Sequence, residues 1–342
     1  MLKIGHYISF FAIFASSTLI AIKLSEIYFP PEKAITNIAF GSCARQNLPQ
    51  PIWESIVNAR PEIFIFMGDT IYGDSEDGDI LREKYAMLGG KPGYQKLKSQ
   101  TRILATWDDH DYGRNNAGLE YPGKVESQKA FLDFFKEPVN SARRESPGVY
   151  ASYMFGPKDK RLQIILLDTR YFRSTYNAGD NHSAPSITML GDTQWRWLEK
   201  ELRKPAEIRI VVSSVQYVNG SRDYETWRNM PRERRRLLKL IKKTQAQGVI
   251  ILSGDIHYAD LSKLETKQAY PIYDLTSSGL THYDKSYYEN RYRVGLPYNG
   301  ENFGQIRIDW DVEDPIISLM IRDIQGNVKK NITLRRSELT FK

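Results

Sequence analysis

Cysteine is nearly missing from this chain: its 342 residues include one, Cys43, which excludes a framework of intrachain disulfides. Histidine is scarce as well, at five residues, so any metal site must draw mainly on oxygen donors. Long hydrophobic runs are also lacking. The most apolar stretch, residues 8–22, is shorter than the run of about 18 residues usually needed to span a bilayer, and it fits the apolar segment of a secretory signal. No clear small-x-small cleavage site comes after it, so a cleaved signal peptide and an uncleaved signal anchor both stay open for residues 1–30, beside a buried core helix. Either of the first two places the rest of the chain outside the cytoplasm. After Pro30-Pro31 no repeat, low-complexity tract or linker interrupts the sequence, and residues 35–342 read as one domain.

Charge is not lacking. A net charge of +7 permits an anionic partner such as a phosphate ester, a phospholipid headgroup or a nucleic acid, but by itself it describes only a positive surface field. The basic run Arg232-Glu233-Arg234-Arg235-Arg236 precedes Leu237, Leu238, Leu240 and Ile241 at helical spacing, so it reads most simply as the solvated face of an amphipathic helix.

The informative pattern lies elsewhere. The apolar runs 63–67, 101–106 and 249–252 lead directly into loops of carboxylates and histidines. These are Gly68-Asp69-Thr70-Ile71-Tyr72, Trp107-Asp108-Asp109-His110-Asp111-Tyr112-Gly113-Arg114-Asn115 and Ser253-Gly254-Asp255-Ile256-His257-Tyr258. A fourth loop, Gly41-Ser42-Cys43, comes after the run 35–40. A buried strand holds the loop at its end against one edge of the sheet, and open α/β sheets bind ligands beyond the carboxyl ends of their strands. Helices are expected over 51–58, in parts of 79–100, over 124–135 and from Gly191, with Asp192 as N-cap. Further strands are expected over 162–167 and 208–212, and an alternating β tail runs through Ile306, Ile308, Trp310, Ile316–Ile321, Ile332 and Leu334. The fold class is α/β, with mixed sheets flanked by helices.

Asp69, Asp108, Asp109, Asp111 and Asp255 cannot share one cleft unaided. Two like charges 4 Å apart cost about 4 kcal/mol at an effective dielectric of 20, and multivalent cations remove that repulsion. Carboxylates suit hard cations such as calcium, magnesium or manganese. A thiolate from Cys43 and a phenolate from Tyr72 together favour ferric iron, so a mixed pair with Asp69 bridging is consistent with the residues. Two ions about 3.5–4 Å apart clamp a phosphoryl group, and one lowers the pKa of bound water towards about 7, giving a hydroxide nucleophile.

These motifs, with Asp168-Thr169-Arg170 and Thr276-Ser277-Ser278-Gly279-Leu280-Thr281-His282, resemble the alkaline phosphatase D (PhoD-like) branch of the calcineurin-like metallophosphatases. The Trp107-Asp108-Asp109-His110 segment is the most specific part. The resemblance implies a calcineurin-like sandwich of two mixed β-sheets flanked by helices and metal-dependent hydrolysis of phosphate esters. It also implies a binuclear or larger metal centre of Fe3+ and Ca2+, with Mn2+ or Mg2+ as alternatives. Cys43, Asp69, Tyr72 and His257 would hold iron; Asp69, Asp109 and Asp255 would hold calcium, with Asn115 a further contributor. His110 takes the place of a histidine that assists the transition state or the leaving group, or else orients a carboxylate. Arg114 and Arg170 would grip phosphate oxygens, although an arginine after a strand pairs with a carboxylate just as readily. His282 reads equally as a pocket residue or a loop hydrogen bonder.

The sequence departs from the wider superfamily in one respect. A metal-ligating histidine is expected after the strand 208–212, and Ser214 and Gln216 stand there instead. The expected partner is a phosphate-ester substrate, with membrane contact through an uncleaved N-terminal segment, no requirement for nucleic acid and no obligate protein partner. Two other functions remain: a phospholipase D-like phosphodiesterase acting on lipid or cell-wall polymer, and a membrane-tethered polyanion-binding protein with a degenerate site.

Overall fold

The computed structural model describes residues 33–175, 184, 186–221 and 224–342. The expected signal segment lies outside them. Among the described residues no helix is long and apolar enough to cross a membrane.

Two six-stranded mixed sheets form the frame. The first sheet takes β1 (Asn37–Gly41), β2 (Ile63–Met67) and β3 (Arg102–Thr106) from the front of the chain. The second takes β4 (Ala151–Phe155), β5 (Leu162–Leu166), β6 (Ile208–Val212), β7 (Val249–Ser253), β8 (Ala259–Leu264) and β9 (Ile272–Ser277). The tail, β10 (Asn302–Asp309), β11 (Ile316–Asp323) and β12 (Val328–Arg335), returns to the first sheet. The orders are β12-β11-β10-β1-β2-β3 and β4-β5-β6-β7-β9-β8. β1, β2 and β3 run parallel, as do β5, β6, β7 and β9, while the tail strands and the edges β4 and β8 pair antiparallel.

The parallel strands read as unbroken apolar runs because both of their faces are covered. Along β1 and β2, Ile38, Phe40, Ile63, Ile65 and Met67 enter the core between the sheets, where they join Ile164, Ile210, Ile250, Ile306 and Leu319. Their alternates Ala39, Phe64 and Phe66 point the other way, into a second core with Trp53, Tyr85, Tyr94, Leu97 and Phe131. The period-2 geometry of a strand makes this division. The helices Gly191–Leu202 and Pro231–Thr244 add Trp195, Leu198, Leu237 and Ile241 to the first core, and the run 232–236 is indeed the start of an amphipathic helix.

Most expected elements fall within two residues of their predicted ends, with helices at Ile52–Asn58, Gly78–Gly89, Pro92–Lys98 and Lys124–Phe134. One expectation is corrected: Asp192 is not the N-cap. That position belongs to Leu190, with no side-chain cap, and Asp192 sits in the first turn, where its charge still favours the helix dipole. The strands β4, β8 and β9 have no clear signature in the sequence. β4 is a half-buried edge, and β8 and β9 are interrupted by the buried polar residues Asp260, Ser262 and Asp274. Distant groups satisfy these. Asp274, for example, accepts from Tyr217 N, Val218 N and Ser253 Oγ at 2.8, 2.7 and 2.7 Å.

At their carboxyl ends the two sheets are tied together. Ser42, just past β1, and Ser278, just past β9, form a parallel bridge, with Ser42 N donating to Ser277 O at 3.1 Å and Leu280 N to Ser42 O at 3.0 Å. This fixes the loops after β1, β2, β3, β7 and β9 against one another. The packing beneath them sets the stability of the scaffold. Phe66 meets Trp53, Tyr94 and Phe135 at ring-centroid distances of 5.8, 5.8 and 5.9 Å. Phe66→Ala should therefore lower unfolding free energy in urea by about 3–5 kcal/mol. Val139→Ala, at a residue 91% exposed, should change it by less than about 0.5 kcal/mol.

Candidate metal centre

The loops after β1, β2 and β7 leave their strands through a reversal of the backbone. Cys43, Asp69, Asp255 and His257 all lie in the left-handed region, with φ of 62°, 48°, 72° and 57°. Aspartate tolerates this conformation better than most residues, but together the four store several kcal/mol, on the order of 1–3 kcal/mol each. Such strain persists only where the surroundings dictate it, and here they do. Ala44 N donates to Asp69 O at 2.8 Å, Gly73 N to His110 O at 2.8 Å, and Thr281 N and His282 N both reach Cys43 O at 3.1 Å. His257 N donates to Ser278 Oγ at 2.9 Å. Glycine is obligatory at position 68: φ is +107°, and a Cβ there would lie 2.3 Å from the Cβ of Asp108. That close approach brings the β2 and β3 loops together. Asp111 locks the pair by accepting from Thr70 N, Ile71 N and Asp108 N at 3.2, 3.0 and 3.1 Å.

The result is a row of donor atoms. Cys43, Asp69 and His257 offer atoms within 4.8 Å of one another, as do Asp69, Asp109 and His110, and again Asp108, Asp109 and Asp255. Asp69 belongs to the first two groups and Asp109 to the last two, so the groups form a continuous series. Cys43 Sγ is 3.4 Å from Asp69 Oδ2. The Tyr72 hydroxyl is 3.4 Å from His257 Nε2 and 2.9 Å from His282 Nδ1. Asp69 Oδ1 and Asp108 Oδ2 are buried and find no hydrogen-bond donor in the protein. A carboxylate oxygen stranded in this way is costly, and a cation is the partner that fits it. Hard oxygen donors surround Asp109, while a thiol, a phenol and an imidazole surround Asp69, so the donor set suits two different ions.

Electrostatics support the same reading. Burial, then the neighbouring Cys43, Asp109 and Asp108, push Asp69 well above the ordinary carboxyl range. Burial and the adjacent carboxylates do the same to Asp255. Burial raises Asp108 to about 6 and Asp111 to about 7, and it lifts the Cys43 thiol to about 12. Tyr72 rises by burial and by its anionic neighbours. Asp109 is the exception: burial pushes it up, but Arg170, His110 and the Asn116 N–H outweigh burial and hold it low. A bound multivalent cation inverts this pattern, favouring every anionic form that the bare protein disfavours.

Of the residues proposed from sequence, Cys43, Asp69, Asp109, Asp255 and His257 are drawn together and Tyr72 adjoins them. His110 also lies within the series; its Nδ1 is 2.6 Å from Asp74 Oδ1. Burial lowers its pKa, but Asp74 and Asp109 more than compensate and raise it. Arg170 is placed differently from its expected role at substrate. It is wholly buried behind the carboxylates, with Nε 2.5 Å from Asp108 Oδ1 and Nη1 2.5 Å from Glu225 Oε2, so it acts as a positioning residue. Arg114 and Asn115 are exposed on the turn beyond the short helix Asp109–Tyr112. The residue that reaches Asp109 is Asn116, whose N–H donates to Oδ2 at 2.7 Å.

Sequence reasoning gives Asp108 no ligand role, although it stands beside Asp109 in the most specific motif; its free Oδ2 faces the third group. Asp74, Arg45 and Glu225 carry no local signal, nor does Asp284, whose Oδ2 is 3.5 Å from His257 Nδ1. Where a histidine is expected after β6, Ser214 Oγ donates to Asp108 Oδ1 at 2.6 Å, and Gln216 turns away to Thr276 Oγ1 at 2.8 Å.

Comparison with known proteins agrees with this geometry. Among curated proteins, alkaline phosphatase D of Bacillus subtilis (strain 168) is 26% identical over 272 residues, covering 66% of this chain and 46% of its own length. The chain thus spans less than half of that relative. Among solved structures, that of PhoD superposes with a TM-score of 0.71 at 16% identity, covering 90% of this chain and 70% of its own. The structure described as GAP50, the anchor in the inner membrane complex of Plasmodium, superposes with a TM-score of 0.59 at 14% identity, covering 89% of both chains. These two likenesses are of fold alone. The family model of the PhoD-like phosphatases matches residues 38–295, and the chain belongs to that family.

Proposed function

We propose that this protein hydrolyses phosphate esters at a centre of two or more metal ions, ferric iron and calcium being the pair its donors suit best. One observation carries the reading: donor groups that share Asp69 and Asp109 include buried carboxylate oxygens with no partner in the protein. Cys43, Asp69, Tyr72 and His257 would hold the iron; Asp69, Asp108, Asp109 and Asp255 would hold the harder ion. When bound, such ions polarise a phosphoryl group and bring the pKa of water near 7, about where an enzyme needs its nucleophile.

The protein's own groups complete the chemistry. Asp74 keeps the His110 Nδ1 side engaged, which favours the protonated ring and leaves Nε2–H to donate to the departing ester oxygen. Arg170 keeps Asp108 oriented and neutralises part of the charge behind it. The name of the Bacillus subtilis relative, alkaline phosphatase D, supports the same activity, and the apolar segment 8–22 supports an extracytoplasmic site of action.

Three outcomes test this reading. Cys43→Ser should remove the thiolate part of the visible ligand-to-metal charge-transfer absorption, leaving the Tyr72 phenolate part, and reduce iron content; an unchanged spectrum with full iron occupancy would refute the iron assignment. His110→Asn should lower kcat about 10²–10⁴-fold for an alkyl phosphate and much less for p-nitrophenyl phosphate, whose leaving group needs little protonation. Equal losses on both substrates would remove His110 as the acid.

The third concerns the metal-free protein. Asp69, Asp108, Asp111 and Asp255 have folded-state pKa values above those of unfolded aspartate. The folded state therefore binds more protons, and stability falls as pH rises through about 6–7. After chelation, the unfolding free energy in urea should drop between pH 5 and pH 8 by on the order of a few kcal/mol, and calcium should restore it at pH 8. A metal-free protein equally stable at both pH values would contradict this.

A further inference from the structure

The two arginines that the sequence puts forward do not offer a free cation beside the donors, because Arg170 is closed in by Asp108 and Glu225 and Arg114 lies on the exposed turn. Arg45 does. It leaves the chain two residues after Cys43, and its backbone is fixed on both sides. Its N–H donates to Thr281 Oγ1 at 2.7 Å, and its carbonyl accepts from Gln50 Nε2 at 3.0 Å and Leu48 N at 3.1 Å. Its guanidinium carbon lies 4.8 Å from the centroid of the Tyr72 ring. That ring is 4.4 Å from the His110 ring and 5.5 Å from the His282 ring. Arg45 thus stands beside the groups flanking the metal centre. Its charge is felt at His282, which burial, His257 and then Arg45 drive down to about 4. Among the described residues no carboxylate forms an ion pair with Arg45, and its buried Nε has no acceptor in the protein. A further cation nearby, Lys84, is occupied by the carbonyls of Tyr72 and Gly73 at 3.0 and 2.6 Å.

We propose that Arg45 binds a terminal oxygen of the substrate's phosphoryl group and thereby favours phosphate monoester dianions over diesters. This rests on the hydrolase reading above. A buried guanidinium N–H without an acceptor is costly until an anion completes it, and stacking on an aromatic ring pre-organises the planar fork for an oxyanion. A monoester carries close to two negative charges and three acceptor oxygens; a diester has one charge and one fewer terminal oxygen. Where cations engage two of those oxygens, only the monoester keeps a charged oxygen for Arg45.

The test compares full-length, metal-loaded wild type with Arg45→Gln and Arg45→Lys. Inorganic phosphate is titrated by calorimetry, metal content is measured, and kcat/KM is determined for p-nitrophenyl phosphate and its bis ester. Arg45→Gln should bind phosphate about 10–100-fold more weakly, with Arg45→Lys between it and wild type. Monoester kcat/KM should fall by a similar factor, diester kcat/KM should change less than about threefold, and metal content should be unchanged. Phosphate affinity equal to wild type, parallel losses on both esters, or loss of metal in Arg45→Gln would each overturn the proposal; in the last case Arg45 acts only through Tyr72. Wild-type protein without bound metal or turnover would instead sink the hydrolase reading, while the affinity ratio still decides Arg45, and wild type that binds no phosphate overturns the Arg45 proposal as well.

Discussion

Three buried carboxylates, Asp69, Asp108 and Asp109, and the half-buried Asp255 lie within reach of their neighbours, and the main positive charge set against them, Arg170, is shared with Glu225. That imbalance governs the rest of the molecule. In the protein alone it is relieved by protonation, which is why burial drives three of the four upward while Arg170 holds Asp109 low. With cations present the same repulsion becomes the source of affinity, because every ligand is already in place and already desolvated.

The scaffold exists to impose this arrangement. A one-residue slip of a parallel strand buried on both faces would exchange the residues of the two cores, so the carboxyl ends of these strands are fixed points. The left-handed turns at Cys43, Asp69, Asp255 and His257 then aim the side chains from those points. The Ser42–Ser278 bridge holds one sheet's loops against the other's, so that a thiol from β1, an acid from β2 and an imidazole from beyond β7 meet. The family match over residues 38–295 covers every one of these elements up to β9.

Much of this is legible in the sequence because the strands leading into the site are short apolar runs that end in ligand-type residues. Cys43, Asp69, Asp109, Asp255 and His257 stand out in that way. The misplacements have physical causes. Asn115 offers a side-chain amide from an exposed turn, while its neighbour Asn116 reaches Asp109 through a backbone N–H, which carries no residue signature. Arg170 stands after a strand like a substrate-binding arginine, but burial commits it to Asp108 and Glu225, and Glu225 lies in a part of the chain with no recognisable pattern. β8 and β9 are hidden because their buried Asp260 and Asp274 are satisfied by distant partners, so the strands do not look apolar.

The proposed hydrolysis depends on metal ions bound between loops that the sheets bring together. The most direct measurement is anomalous diffraction from crystals of the purified protein, collected above and below the iron absorption edge. An edge-dependent peak is predicted between Cys43 Sγ, Asp69 and His257, with a second ion beside Asp109 and Asp255. Well-ordered density for those side chains with no peak among them, from protein never exposed to chelator, would contradict a metal centre at this site.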